Sequence, residues 1–265
     1  MRILLFLLLL SLPLQAREAY QIRGLAQFDA EQQSKLKAWL DKAVKASQTA
    51  LGEYPFTMAL HLHPRKANQP VPWANTWRQD QQSVHFYVDT RFPLQRFVND
   101  WTAYHELSHL AIPYLGSWNS WFAEGFASFM QYQLMADAGV LEGSLEDAYR
   151  SKIKPQARWY NSQYSAASVA RRLMQNRQYA AAYWGGAWFF VLADRQLRQD
   201  YGKGFSQLIR EYQSCCRNES EDIQQLVAAL DSMLEKPVFV PLLQRFEQAP
   251  ARDIFREWLE SGNNE

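Results

Sequence analysis

Residues 105–109 read His-Glu-Leu-Ser-His, and Glu124 follows fifteen positions later inside the run Trp-Phe-Ala-Glu-Gly-Phe-Ala. Positions four apart share a helix face, so His105 and His109 can present two imidazole nitrogens to one metal ion. Glu106 points beside that face and can hold a water bound to the metal. Glu124 would supply the third protein ligand from a second helix. Two imidazoles and a carboxylate suit zinc, and a fourth position left to water marks a catalytic rather than a structural site. With five histidines and fifteen glutamates in the chain, random placement gives roughly 0.005 His-Glu-x-x-His matches, so the motif carries information. The competing reading is a surface helix with solvated histidines. Phe97, Trp101, Tyr104, Leu107, Leu110 and Ala111 make the segment apolar, and burying two histidines and a glutamate without partners is costly.

These side chains need elements to position them. Apolar residues at Leu36, Trp39, Leu40, Ala43 and Val44 predict a helix over 28–50, stopped by Gly52. Alternation over 56–63 and 83–88 predicts two strands. The stretch 64–82, with Pro70 and Pro72, reads as a loop. Asp89-Thr90 and Pro93 lead into the helix bearing the histidines. From Pro113 and Gly116 onward the pattern is helical, over 121–138, 166–174, 179–200, 206–212, 221–234, 240–246 and 253–259. The fold class is therefore α+β and predominantly α. A strand-containing part (17–115) holds the metal helix, a helical part (116–265) follows, and both belong to one domain, 17–265.

Met1-Arg2, the apolar run Ile3–Leu12 and the small Ala16 form the pattern of a signal peptide over residues 1–16. The run is shorter than the roughly 20 residues a membrane span needs. The expectation is a periplasmic or secreted protein without stable membrane insertion after cleavage. A net charge of +1 offers no basis for nucleic-acid binding. The two cysteines, Cys215 and Cys216, are adjacent. A vicinal bridge, an interchain bridge and free thiols all remain open, since ordinary disulfide geometry is difficult between neighbours.

The residues resemble the gluzincin branch of zinc peptidases, in particular the aminopeptidase N and glycyl aminopeptidase families. The resemblance covers about 105–130 and 179–198. His105, His109 and Glu124 fall on the three zinc ligands, Glu106 falls on the general base, and 121–127 is similar to the Trp-x-x-Glu-Gly-Phe run around the third ligand. Tyr183-Trp-Gly-Gly186 looks like the families' Tyr-x-x-Gly helix, whose tyrosine donates its hydroxyl to the oxyanion. This implies that role for Tyr183, with Tyr179 one turn earlier as the alternative; a tyrosine in a Trp-rich helix can equally be core. The resemblance implies a zincin-like fold, with an active-site cleft between the strand-containing and helical parts, and a peptide or protein substrate. The chain departs from the pattern in its short connection between the second histidine and Glu124. Ala123 stands where aminopeptidases carry Asn, and Ser128 stands where thermolysin-like enzymes carry Asp. The Gly-x-Met-Glu-Asn motif that grips a substrate's free amino group is absent from the sequence, so exopeptidase specificity does not carry over.

Other constellations are weaker. His61 and His63 share one strand face, and His85 sits on the second strand. A polar strand face is the default for all three, with a second metal site or substrate contact as the alternative. Trp118, Trp121, Trp184 and Trp188 could line a groove, although packing is the default. The sequence reads as an exported zinc metallopeptidase. The reading from another class is a non-catalytic zincin-fold binding or chaperone-like protein retaining a structural metal.

Overall fold

The computed structural model describes residues 18–78 and 81–260. The signal-peptide reading falls on 1–16 and so lies outside the described residues. Among those described, no helix is long and apolar enough to cross a membrane.

Four strands form one sheet in the order β1-β2-β4-β3: β1 (Tyr20–Arg23), β2 (Met58–Pro64), β3 (Trp73–Trp77) and β4 (Ser83–Val88). The β1–β2 and β2–β4 pairs are parallel, while β3 runs antiparallel to β4 and forms an edge. Between β1 and β2 lies α1 (Ala30–Leu51), which covers one face of the sheet. It starts at a capping box, in which the Asp29 side chain accepts from the Gln32 amide and the Gln32 side chain accepts from the Asp29 amide. Its stripe of Leu36, Trp39, Leu40, Ala43 and Val44 is buried. Trp39 packs edge-on against Phe86 of β4 at 5.2 Å between ring centroids.

Several elements depart from the sequence expectation. The presumed loop 64–82 contains β3. Its five residues, Trp-Ala-Asn-Thr-Trp, follow two prolines and carry no aliphatic alternation, because an edge strand is only half covered. β1, four residues long, is likewise too short to leave a periodic signal. The histidine-bearing segment also divides, into α2 (Leu94–Val98) and α3 (Thr102–His109). At the break the Asp100 side chain accepts from the Thr102 amide at 2.9 Å.

The remainder is helical: α4 (Ser120–Asp137), α5 (Leu145–Ile153), α6 (Ala166–Gln175), α7 (Tyr179–Tyr201), α8 (Phe205–Cys215), α9 (Ile223–Asp231), α10 (Phe239–Gln248), α11 (Ala251–Ile254) and α12 (Arg256–Glu260). Of these, α5 was not anticipated. Cys215 and Cys216 are bonded to one another where α8 ends.

The contact between α4 and α7 sets the geometry of the site. A Cβ added at Gly125 would lie 2.4 Å from the Gly186 carbonyl carbon, and one added at Gly186 would lie 2.3 Å from the Trp121 carbonyl oxygen. The two backbones touch because neither glycine has a side chain. Phe122, Phe126, Phe189 and Phe190, all buried, fill the space beside this contact.

Candidate metal centre

The fold brings His105, His109 and Glu124 together. One ligand atom from each lies within 4.8 Å of the others. His105 Nε2 stands 3.2 Å from Glu124 Oε2 and His109 Nε2 stands 3.5 Å from it. The histidines come from one face of α3, and Glu124 comes from the start of α4, which packs across α3. Gly125, the next residue, is the one that lets α7 approach.

The surrounding groups orient these ligands. His105 Nδ1 pairs with Gln131 Oε1 at 3.0 Å. The amide oxygen accepts the Nδ1 proton, so the Nε2 lone pair faces Glu124. Outer partners of this kind fix the tautomer and raise ligand basicity. Burial pushes His105 toward the neutral form, but the hydrogen bond and charge of Glu124, with the charge of Glu106, raise its pKa overall. Burial opposes the charge on Glu124 as well, and the two histidines outweigh it and hold the carboxyl well below the usual range. An imidazole lone pair and a carboxylate oxygen 3.2 Å apart repel unless a proton or a cation lies between them. A borderline divalent ion satisfies all three donors at once, so the residues present fit a metal.

Glu106 projects beside the cluster. Its Oε2 accepts from Thr76 Oγ1 of β3 at 2.8 Å, and the same hydroxyl lies 3.1 Å from the Glu106 carbonyl oxygen. The Tyr183 ring lies 6.2 Å from the His105 ring. Burial, then the charges of Glu124 and Glu106, raise the Tyr183 pKa, and a hydrogen bond to Glu124 adds to this; the phenol stays protonated. Tyr179 is exposed and packs on Tyr183 at 6.0 Å, but does not itself line the cleft.

The C-terminal end of α3 is held from three directions. Tyr54 Oη donates to the Leu107 carbonyl at 2.9 Å, and Arg217 donates to the Ala111 carbonyl at 2.9 Å. Arg78 donates to the carbonyls of His109 and Ile112. Burial, with the nearby Arg217 charge, lowers the Arg78 pKa to about 10, so it remains a cation at neutral pH. Cations at a helix C-terminus meet the negative end of its dipole and its unpaired carbonyls.

His105, Glu106, His109, Glu124, Tyr183 and Arg78 open on a cleft of about 560 Å³, which Trp73 to Thr76 of β3, Trp101 and Tyr114 also line. The aromatic walls differ from the sequence expectation. Trp121 and Trp188 are core, Trp184 packs on Tyr132, and the exposed Trp118 lies under the Arg171 guanidinium. None of the four lines the cleft, whereas Trp73 and Trp101 do. His61, His63 and His85 lie together on the sheet, apart from the metal centre.

Sequence reasoning missed Thr76, Gln131, Tyr54, Arg78 and Arg217. Gln131 alone left a signal: seven residues after Glu124, it repeats the same helix face. The others reach α3 from distant segments.

The sequence matches no protein-family model and no curated protein. Among solved structures, the chain superposes on an aminopeptidase N family protein from Idiomarina loihiensis with a TM-score of 0.57 at 15% identity, over 82% of this chain and 43% of that one. The fold is gluzincin-like. Superpositions on M1 zinc metallopeptidase structures from Deinococcus radiodurans are looser. One has a TM-score of 0.41 at 17% identity, covering 85% of this chain and 43% of that one. A Tyr-Ser-Ala complex has a TM-score of 0.44 at 15% identity, covering 82% and 43%. The chain thus spans less than half the length of these proteins. What the gluzincin-like fold shares with the first of them is architecture.

Proposed function

We propose that the protein is an exported zinc-dependent peptidase that hydrolyses peptide bonds in the cleft between the sheet and the helices. The observation that carries this reading is the convergence of His105, His109 and Glu124 beside a glutamate held by Thr76 and open to that cleft. A zinc ion held by these three residues would polarise the scissile carbonyl and acidify water. Glu106 accepts the proton of the attacking water and returns it to the departing amine. Thr76 keeps the carboxylate turned toward the cleft. Tyr183, still protonated, donates its hydroxyl to the oxygen that gains charge, a contribution of typically a few kcal/mol for such donors. Among the described residues, edge strand β3, beside the cleft, has one side free of strand partners and suits an extended peptide main chain.

Export to the periplasm or the medium rests on the charged start, the apolar run and Ala16 at the beginning of the sequence. The test of the chemistry compares wild type with Glu106→Gln for metal content and cleavage of a mixed peptide library. The expected result is about one zinc in each protein and a turnover loss of about 10²–10⁴ in the variant. Equal hydrolysis by both would refute the role of Glu106. Zinc in both with cleavage by neither would favour the binding-protein reading.

A further inference from the structure

Three of the five histidines stand outside the metal centre, and all three share one patch. Residues two apart on a strand face the same way, which places His61 and His63 together on β2. His85 of β4 is the register partner of His61. Their neighbours Leu60, Leu62, Val84 and Phe86 are buried on the α1 side of the sheet, so the three imidazoles lie on the opposite face, half-exposed. The His85 ring is 4.1 Å from the His61 ring and 5.3 Å from the His63 ring, centroid to centroid. His63 Nε2 and His85 Nδ1 face each other at 3.1 Å. Tyr87 stacks on His63 at 4.8 Å, and Trp77 lies 6.0 Å from His85.

We infer that His63 and His85, with His61 stacked beside them, form a second metal site, for a borderline divalent ion of the Zn2+ or Cu2+ class, separate from the centre at His105, His109 and Glu124. The decisive geometry is the facing pair of nitrogens. At 3.1 Å, a proton on one ring nitrogen, donated to the other's lone pair, holds them. Two imidazole nitrogens bound at 2.0–2.1 Å around a tetrahedral ion stand about 3.3 Å apart, so the ion can replace that proton with a tilt of two half-exposed rings. His61 is stacked over His85 with 10° between the ring planes, so its lone pair runs alongside the pair, and water completes the shell. An all-imidazole donor set suits Zn2+, Cu2+ and Ni2+ and disfavours Mg2+ and Ca2+. Burial, and then the charges of neighbouring groups, lower the pKa of His61 and His85, so their lone pairs are free at neutral pH. The nearby cation Arg23 is turned to Gln81, donating to its Oε1 at 2.8 Å. A bound ion would tie β2 to β4, next to the strand that lines the cleft. The site does not depend on the peptidase reading.

The test uses the full chain and the metals alone. Metal-free wild type, His63→Gln/His85→Gln and His105→Ala are titrated with Zn2+ against a chromophoric chelator. The inference expects two equivalents in wild type and one in each variant. As a check independent of variant folding, wild type with its first equivalent filled by Zn2+ is given Cu2+ and examined by electron paramagnetic resonance. Nitrogen hyperfine structure from at least two imidazoles is expected, and it should vanish in His63→Gln/His85→Gln. A single equivalent in wild type, lost in His105→Ala and retained in His63→Gln/His85→Gln, would overturn the inference. So would a second Cu2+ signal that survives the double substitution.

Discussion

Replacing Gly186 by alanine probes how the contact between α4 and α7 positions the metal centre. The new Cβ would lie 2.3 Å from the Trp121 carbonyl oxygen and 3.1 Å from the Gly125 Cα. Non-bonded heavy atoms rest at about 3.5 Å, so relief requires the helices to part by roughly 1 Å. Overpacking of this kind costs about 1–3 kcal/mol, while alanine returns about 1 kcal/mol of helix propensity. The net loss of up to about 2 kcal/mol corresponds to a Tm drop of up to about 8 °C for a chain of this size. Function should suffer more than stability. Glu124 precedes Gly125 on α4 and Tyr183 lies one turn before Gly186 on α7, so the same displacement moves one member of the His-His-Glu cluster away from the hydroxyl opposite. A 1 Å misplacement of reacting groups can cost about 100-fold in rate. The assay combines thermal unfolding with and without zinc, zinc affinity by chelator competition, and peptide turnover. Weaker zinc binding and a turnover loss out of proportion to the Tm change are expected. Gly125→Ala should behave alike, and the double variant should fall short of additivity, because one separation relieves both clashes. Unchanged Tm, zinc affinity and turnover in Gly186→Ala would refute the reasoning.

Three further outcomes follow from the same structure. Gln131→Leu removes the partner of His105 Nδ1 and should weaken zinc about 10–100-fold by chelator competition. Thr76→Val removes the hydroxyl that holds Glu106; a hydrogen bond to a charged group is worth about 1.5–3 kcal/mol, so kcat/KM should fall about 10–100-fold with zinc content unchanged. The Arg91 guanidinium, together with the amides of Ala67 and Arg91, holds the Asp89 carboxyl well below its ordinary 3.8. A depressed carboxylate stabilises the fold fully above its unfolded value, and that stability is lost as pH falls from there toward the folded value. Thermal unfolding followed from neutral pH into acid should therefore show a smaller loss below that point in Asp89→Asn than in wild type. Parallel curves would count against the pairing.

Much of the site was legible because its spacing is local. The i, i+4 histidines, the glutamate between them and Glu124 in its aromatic run are adjacent in the sequence or lie one helix away. The amphipathic stripe of α1, the alternation of β2 and β4, and the long α4 and α7 could likewise be read, since periodicity over many residues reports which face is covered. The tryptophans show the limit of that reading. All are apolar in sequence, yet Trp121 and Trp188 fill the core while Trp73 and Trp101 wall the cleft. Side-chain type does not say which surface faces an opening. β3 escaped notice because five residues on an edge carry no two-sided burial pattern, yet it supplies Thr76 to Glu106. Tertiary structure alone placed Tyr54, Arg78 and Arg217 on the carbonyls ending α3, and turned His61, His63 and His85 toward one another. The reason is physical. Helix and strand periodicity is set by backbone geometry within a few residues, whereas a hydrogen bond between residues 53 or 106 positions apart exists only after the intervening chain has packed.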